Sequence, residues 1–214
     1  MLRMIALSLL LFTSAVCADS SSYTTREQAL RGTASSDPNE RAEALTWIAG
    51  HGTGADAPLL KNHLTDDDPN VRNVAEQGLW LLWSRSGDEA IDALLARGVE
   101  QMSGGDLDGA IATFSEVIKR KPDFAEGWNK RATALFLAGE FRRSLADCDE
   151  VMKRNPLHFG ALAGYGQIYF QLEQYERAIE YWKRALEVNP NMTGVELGIR
   201  ATERLLEERR KHGA

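Results

Sequence analysis

Apolar side chains in the second half of the chain recur on a ruler of 34 residues. With Ile91, Ala125 and Phe159 as first positions, the fourth position holds Leu94, Trp128 and Leu162. The twenty-fourth holds Phe114, Cys148 and Trp182, and the twenty-seventh Val117, Val151 and Ala185. Small side chains alone occupy two further places: Gly98, Ala132 and Gly166 at the eighth position, and Ala110, Ser144 and Ala178 at the twentieth. Pro122, Pro156 and Pro190 close the three periods. Apolar residues at helical spacing predict amphipathic helices, and a proline, which lacks an amide hydrogen and clashes with the preceding turn, stops the second helix of each pair. The pattern predicts three helix, turn, helix units over 91–192, whose small positions let paired helices approach closely. Such a unit cannot bury its apolar face alone and must stack on a neighbour. After Pro190, the stretch carrying Val195, Ile199, Leu205 and Leu206 among Glu and Arg has Arg200 at its eighth place, which predicts a polar-backed capping helix over 193–211.

Because small, large and proline places agree in three consecutive periods, residues 91–192 resemble the tetratricopeptide repeat family. The resemblance implies an all-α, right-handed α-solenoid of stacked helical hairpins. Two places depart from the family pattern. Position seven is Arg97 and Arg131 where the family prefers Leu, and position eleven of the first unit is Gln101 where an apolar residue is usual. Looser packing of the first unit is therefore expected.

Residues 26–87 follow a different ruler. Asp37, Pro38, Asn39 returns as Asp68, Pro69, Asn70 after 31 residues. Each copy leads into a helix, one through Arg41, Ala42, Ala44, Leu45 and Ile48, the other through Arg72, Val74, Ala75 and Leu79. Asp caps a helix start and Pro fits its first turn, where its missing donor costs nothing. A short helix is expected over 55–64, carrying Leu59, Leu60 and Leu64. The string Asp68, Pro69, Asn70, Val71, Arg72 with Ala75 after it looks like HEAT repeats of short bacterial type. The polar stretch from Ser84 to Asp88 is too short for a free linker, so both arrays are expected to stack into one helical body with Trp80 and Trp83 at the junction.

The first 18 residues read as a secretory signal peptide. Arg3 gives a positive start, Ile5 to Phe12 an apolar run, and Val16, Cys17 and Ala18 a small-residue end, with cleavage expected after Ala18. Eight apolar residues span roughly 12 Å as helix, well short of a bilayer's roughly 30 Å core. Two alternatives are a lipoprotein modified at Cys17, disfavoured by Ser14 and Val16 where Leu and a small residue are usual, and a buried N-terminal helix. Processing would leave Cys148 as the sole cysteine, excluding an internal disulfide. It would also leave 24 basic against 31 acidic residues (25 − 1 = 24), a formal charge of −7, which repels polyphosphate and argues against nucleic acid as a partner. The expected location is the periplasm or the exterior.

Catalytic signatures are missing: no phosphate-binding Gly-rich loop, no nucleophile elbow, no paired zinc histidines. No cofactor or metal is expected. His51, His63, His158 and His212 share no helical spacing and read as polar residues near helix ends, although His51 and His63 could meet across a hairpin. Asp66, Asp67 and Asp68 lack the ligand spacing of a calcium loop and read as helix-capping acid. Cys148 sits at a core position, as a small hydrophobe.

What the resemblance implies instead is a binding groove, since positions 2, 5, 6, 9, 12 and 13 of each first helix in this family face a concave surface. These places hold Glu126, Asn129, Lys130, Thr133, Phe136 and Leu137 in the middle unit. Gln167, Phe170 and Gln171 follow in the next, with Val99 and Met102 from the first. Amides can satisfy a peptide backbone while aromatics and Met take its side chains. Phe136 and Phe170 alternatively complete packing between repeats. The family's carboxylate clamp needs Lys and Asn on successive first helices, and here Asn129 and Lys130 are followed by Ala163 and Gly164. The expectation is a non-catalytic adaptor for a peptide or partner protein. The alternatives are a regulatory subunit of an enzyme, or an enzyme whose site gathers His51, His63, Asp56 or Asp67, and self-association through the solenoid ends.

Overall fold

The computed structural model describes residues 22–212, and the leader expected over 1–18 lies outside them. The described residues form helices only, joined by turns. In order they are α1 (Arg26–Gly32), α2 (Pro38–His51), α3 (Ala57–Asn62), α4 (Pro69–Ser84), α5 (Glu89–Ser103), α6 (Leu107–Arg120), α7 (Ala125–Leu137), α8 (Phe141–Arg154), α9 (Phe159–Gln171), α10 (Tyr175–Val188) and α11 (Thr193–His212). Short 3-10 turns, Gly54–Asp56 and His63–Thr65, flank α3, so the single short helix expected over 55–64 is broken at both ends. Contacts divide the chain into two compact parts, one through Gly78 and one from Leu79 onward.

In the first part, the 31-residue ruler is a repeated set of bonds. Asp37 Oδ1 accepts from the Asn39 amide (2.9 Å), and Asp68 Oδ1 accepts from the Asn70 amide (2.8 Å). Arg41 then donates back to the carbonyls of Ser35 (2.9 Å) and Ser36 (3.1 Å), just as Arg72 donates to those of Asp66 (2.7 Å) and Asp67 (3.0 Å). The aspartate satisfies an amide at each helix start, and the arginine satisfies carbonyls of the loop before it. Asp66 is held by the Arg41 guanidinium at 2.6 and 2.8 Å, a two-pronged bond that lowers its carboxyl below the usual carboxylate range.

In the second part, each pair α5/α6, α7/α8 and α9/α10 packs as a hairpin, and α11 packs on α10. The helices α6, α8 and α10 stop two residues before Pro122, Pro156 and Pro190, as the ruler predicts. What sets helix separation is the pairing of positions eight and twenty-four. A Cβ on Gly98 would lie 2.4 Å from the Phe114 ring, and one on Gly166 would lie 2.2 Å from Trp182. In the middle hairpin the large ring is replaced by Cys148, and Ala132 takes the glycine's place in the same cluster. The outer hairpins thus place a ring over a glycine, and the middle one pairs two small side chains. Ser144 keeps its position small and donates to the Ala132 carbonyl at 2.7 Å.

Two of the departures at positions seven and eleven, Arg131 and Gln101, find partners at position twenty-three, while Arg97 is exposed. Arg131 grips Asp147 through two bonds of 2.7 and 2.8 Å and also reaches Ser115 at 3.0 Å. Gln101 accepts from Thr113 at 2.7 Å, and in the last hairpin Tyr165 stacks on Tyr181 with ring centroids 4.4 Å apart. Polar, amide or aromatic pairs therefore do at this layer what leucine would do by burial.

Gly166→Ala is expected to cost about 1–3 kcal/mol, because the new methyl must displace Trp182. Ala132→Gly should cost only about 1 kcal/mol, the helix-propensity difference. Urea unfolding of the full chain measures both, and equal costs would mean that the glycine is not required by the ring it faces.

Candidate functional site

The first helices of the hairpins form the inner row: α5 touches α7 and α7 touches α9, whereas the second helices make no comparable contact with one another. A stack whose inner helices lie closer than its outer ones is concave on the inner side. The candidate groove of the second part is therefore the face of α5, α7 and α9.

The residues expected to line it fall into three groups. Met102, Glu126 and Asn129 are buried, Met102 within the core of the first hairpin, so these three are not surface contacts. Phe136 and Phe170 are partly buried against the last hairpin's core; Phe136 meets Phe141 at 5.7 Å, and Phe170 meets Tyr175 at 5.4 Å and Trp182 at 5.9 Å. Lys130, Thr133 and Gln167 are half-exposed, and Gln171 and Leu137 are exposed. The open strip thus belongs to positions six, nine and thirteen, beside the half-exposed small residues Ala163 and Gly164.

Beneath that strip lies a buried polar cluster. Glu126, at 1 % exposure, accepts through Oε2 from Asn129 Nδ2 (3.1 Å) and from His158 Nε2 (2.9 Å). Its Oε1 lies 3.0 Å from the Lys130 ammonium, an ion pair. Burial alone would push the Glu126 carboxyl up. The Lys130 charge and the bond from His158 outweigh it and hold the group at about 2. His158 is itself fully buried and is the N-cap of α9, where its Nδ1 accepts from the Ala161 amide at 3.1 Å. Because an amide donates to Nδ1, the ring proton sits on Nε2, the atom that donates to Glu126.

Two tryptophans from the end of α4 close over this cluster. Trp83, 8 % exposed, stacks on the His158 ring at 4.7 Å, and Trp80 meets His158 edge-on at 5.5 Å and Phe159 at 5.0 Å. A Cβ on Gly160 would lie 2.4 Å from Trp80, so only glycine admits that ring. Three residues apart on a helix, the two indoles share a face. The sequence singled out Trp80 and Trp83 as junction residues but did not mark His158 as their partner; a further sequence hint was Gly160 at a groove position held by charge in the other units, Asp92 and Glu126.

The constellation considered for catalysis is dispersed among other partners. His51 Nδ1 faces the Trp47 carbonyl at 3.0 Å and its ring stacks on Trp47 at 4.3 Å. His63 faces the carbonyls of Leu59 and Thr33, and Asp56 is engaged by Arg26 and the Thr53 amide. Cys148 is buried, which pushes its thiol up to about 12, with Asp147 and Asp149 adding to the effect. Among the described residues no group of three His, Cys, Asp or Glu side chains could hold a metal ion, and no helix is long and apolar enough to cross a membrane.

Comparison with known proteins agrees with this architecture. Family models of the tetratricopeptide repeat match residues 95–151 and 162–192. The chain carries tetratricopeptide repeats. A TPR repeat-containing protein of Rhizobium etli is 32% identical over 123 residues, covering 58% of this chain and 60% of that relative. Tetratricopeptide repeat protein 12 of Mus musculus is 30% identical over 101 residues, 47% of this chain but 14% of the relative. The chain therefore spans less than two thirds of either. Among solved structures, the first TPR of Spaghetti (RPAP3) bound to HSP90 peptide SRMEEVD superposes with a TM-score of 0.53 at 24% identity, covering 55% of this chain and 93% of that one. The Sgt2 TPR domain of Aspergillus fumigatus gives 0.55 at 21% identity, over 58% and 83%. These structural likenesses show the fold.

His158→Ala is expected to cost about 3–5 kcal/mol, since it removes the donor to a buried carboxylate as well as the cap of α9. Glu126, with its carboxyl held at about 2, adds stability that is fully present above the ordinary value of 4.5 and is lost as pH falls through 2. Urea midpoints taken between pH 7 and pH 2 should therefore fall less on the acid side for Glu126→Gln than for the parent. Parallel profiles would remove Glu126 from the acid response.

Proposed function

We propose that the protein is an exported, non-catalytic adaptor that holds an extended segment of a partner protein along the open strip of its inner face. The observation that carries this reading is the row of Lys130, Thr133, Gln167 and Gln171 with exposed Leu137, left accessible on the inner helices beside the small residues Ala163 and Gly164. Amide and hydroxyl groups there can satisfy a backbone, and Leu137 offers an apolar contact at the strip's end. A helical frame that is ordered beforehand binds without losing conformational entropy of its own. The likeness to a TPR domain solved with an HSP90 peptide supports peptide capture as the use of such a face.

The partner segment is read as internal rather than carboxyl-terminal. A terminal carboxylate needs free cations, but Lys130 already neutralises Glu126, and the next inner helix offers only Ala163 and Gly164 at the equivalent places. Against an enzyme stands the engagement of His51, His63 and Asp56 with other partners and the burial of Cys148. Export rests on the leader pattern over 1–18, with the periplasm or exterior as destination.

The test is peptide display against the full chain and against a Thr133→Ala, Gln167→Ala, Gln171→Ala variant of unchanged thermal midpoint. Peptides selected on the parent should bind the variant at least tenfold more weakly, whereas equal binding would move the partner surface elsewhere. Mass measurement of the protein recovered after expression with its leader should show loss of residues 1–18, and an intact amino terminus would end the export reading.

A further inference from the structure

The inner face is closed at one end by the chain itself. His158, Phe159 and Gly160 form the start of α9, with Gly160 at the repeat position that Glu126 holds on α7, and over them lie Trp80 and Trp83. Three observations mark this contact as a fitted seat. Gly160 leaves room for an indole that any side chain would exclude, with Trp80 2.4 Å from the place of a Cβ. The His158 ring is fixed in position by two hydrogen bonds, one to the Ala161 amide and one to Glu126, and presents its face to Trp83 at 4.7 Å with 21° between planes. Phe159 meets both indoles, at 5.0 and 5.2 Å. The seat is thus an aromatic pocket built by α9 and shaped for two large rings one helical turn apart.

We propose that the segment Leu79–Ser84 is an intramolecular occupant of the groove: it covers the start of α9 at the inner face and restricts partners to the strip at positions six, nine and thirteen. This deepens the adaptor reading and rests on it, because an occupied seat matters only if the face binds something. A partner helix carrying two aromatic residues three apart could use the whole face only by displacing Trp80 and Trp83. Affinity for such a partner is then lowered by the fraction of time the segment is seated. Glu126 and Lys130 connect the two halves of the face, since the carboxylate that positions His158 also holds the Lys130 ammonium of the open strip.

The proposal is tested with a fluorescein-labelled peptide of residues 76–88 as probe and the full chain as receptor. The Trp80→Ala, Trp83→Ala variant, confirmed helical by circular dichroism, should bind this peptide at least tenfold more tightly than the parent, whose seat is filled. Adding Gly160→Val to the variant should abolish the gain. Equal binding to parent and variant, or binding by neither, overturns the proposal. Should the double variant fail to fold, Gly160→Val alone provides the reading: hydrogen exchange of the Leu79–Ser84 amides should accelerate at least tenfold relative to the parent, and unchanged exchange overturns it. None of these measurements uses the Thr133, Gln167 and Gln171 strip, so a failed occupant leaves the adaptor reading standing, and loss of the strip leaves the occupant standing.

Discussion

Everything in the second part depends on how near two helix backbones can come within a hairpin. Position eight and position twenty-four share one volume, and the three hairpins divide it differently: Gly98 with Phe114, Ala132 with Cys148, Gly166 with Trp182. Interiors are packed as densely as organic crystals, so a methyl added on one side must be withdrawn on the other. In the outer two hairpins the glycine is what admits the ring, and in the middle one two small side chains meet instead. Stacking then repeats, and with it the inner row of α5, α7 and α9 on which any groove must be built. Chemistry at the next layer is free to vary once that distance is set, which is why an Arg–Asp grip, a Gln–Thr bond and a Tyr–Tyr stack can hold equivalent places.

The buried Glu126 shows the opposite economy. A carboxylate removed from water is destabilising unless its oxygens are met by charge and donors, and here one lysine, one amide and one imidazole meet them. The cluster binds α7 to the start of α9 and gives the imidazole a single orientation. That orientation creates the flat face on which Trp83 lies. An element with no direct role at the surface therefore determines how much of the surface is available.

Legibility in the sequence followed the range of the interaction. Helix ends at the prolines, the twin Asp caps and the small positions were readable because each depends on neighbours within a turn or on a spacing that repeats. The 31-residue ruler placed Arg41 and Arg72 at equivalent points of their helices, but only coordinates reveal that both turn back onto loop carbonyls. Groove residues were less legible. Family position placed Glu126, Asn129 and Met102 on the inner face, but depth along that face is set by tertiary packing: Met102 sinks into the first hairpin's core, and Glu126 is tied to His158, which comes from the next repeat and lies under Trp80 and Trp83. Phe136 and Phe170, open to two readings in the sequence, lie against rings of the following helices.

By itself, then, the sequence determined the helical hairpins, their count in the second part, their boundaries and the tight approach within each. These follow from periodicity, from proline's missing donor and from side-chain volume, all of which act locally or repeat. The tertiary structure alone decided which inner-face residues meet solvent, how Arg131 and Gln101 are compensated, and that one end of the face is covered by the chain's own tryptophans. Those outcomes depend on contacts between distant segments, where no spacing rule operates and only the packed arrangement brings the partners together.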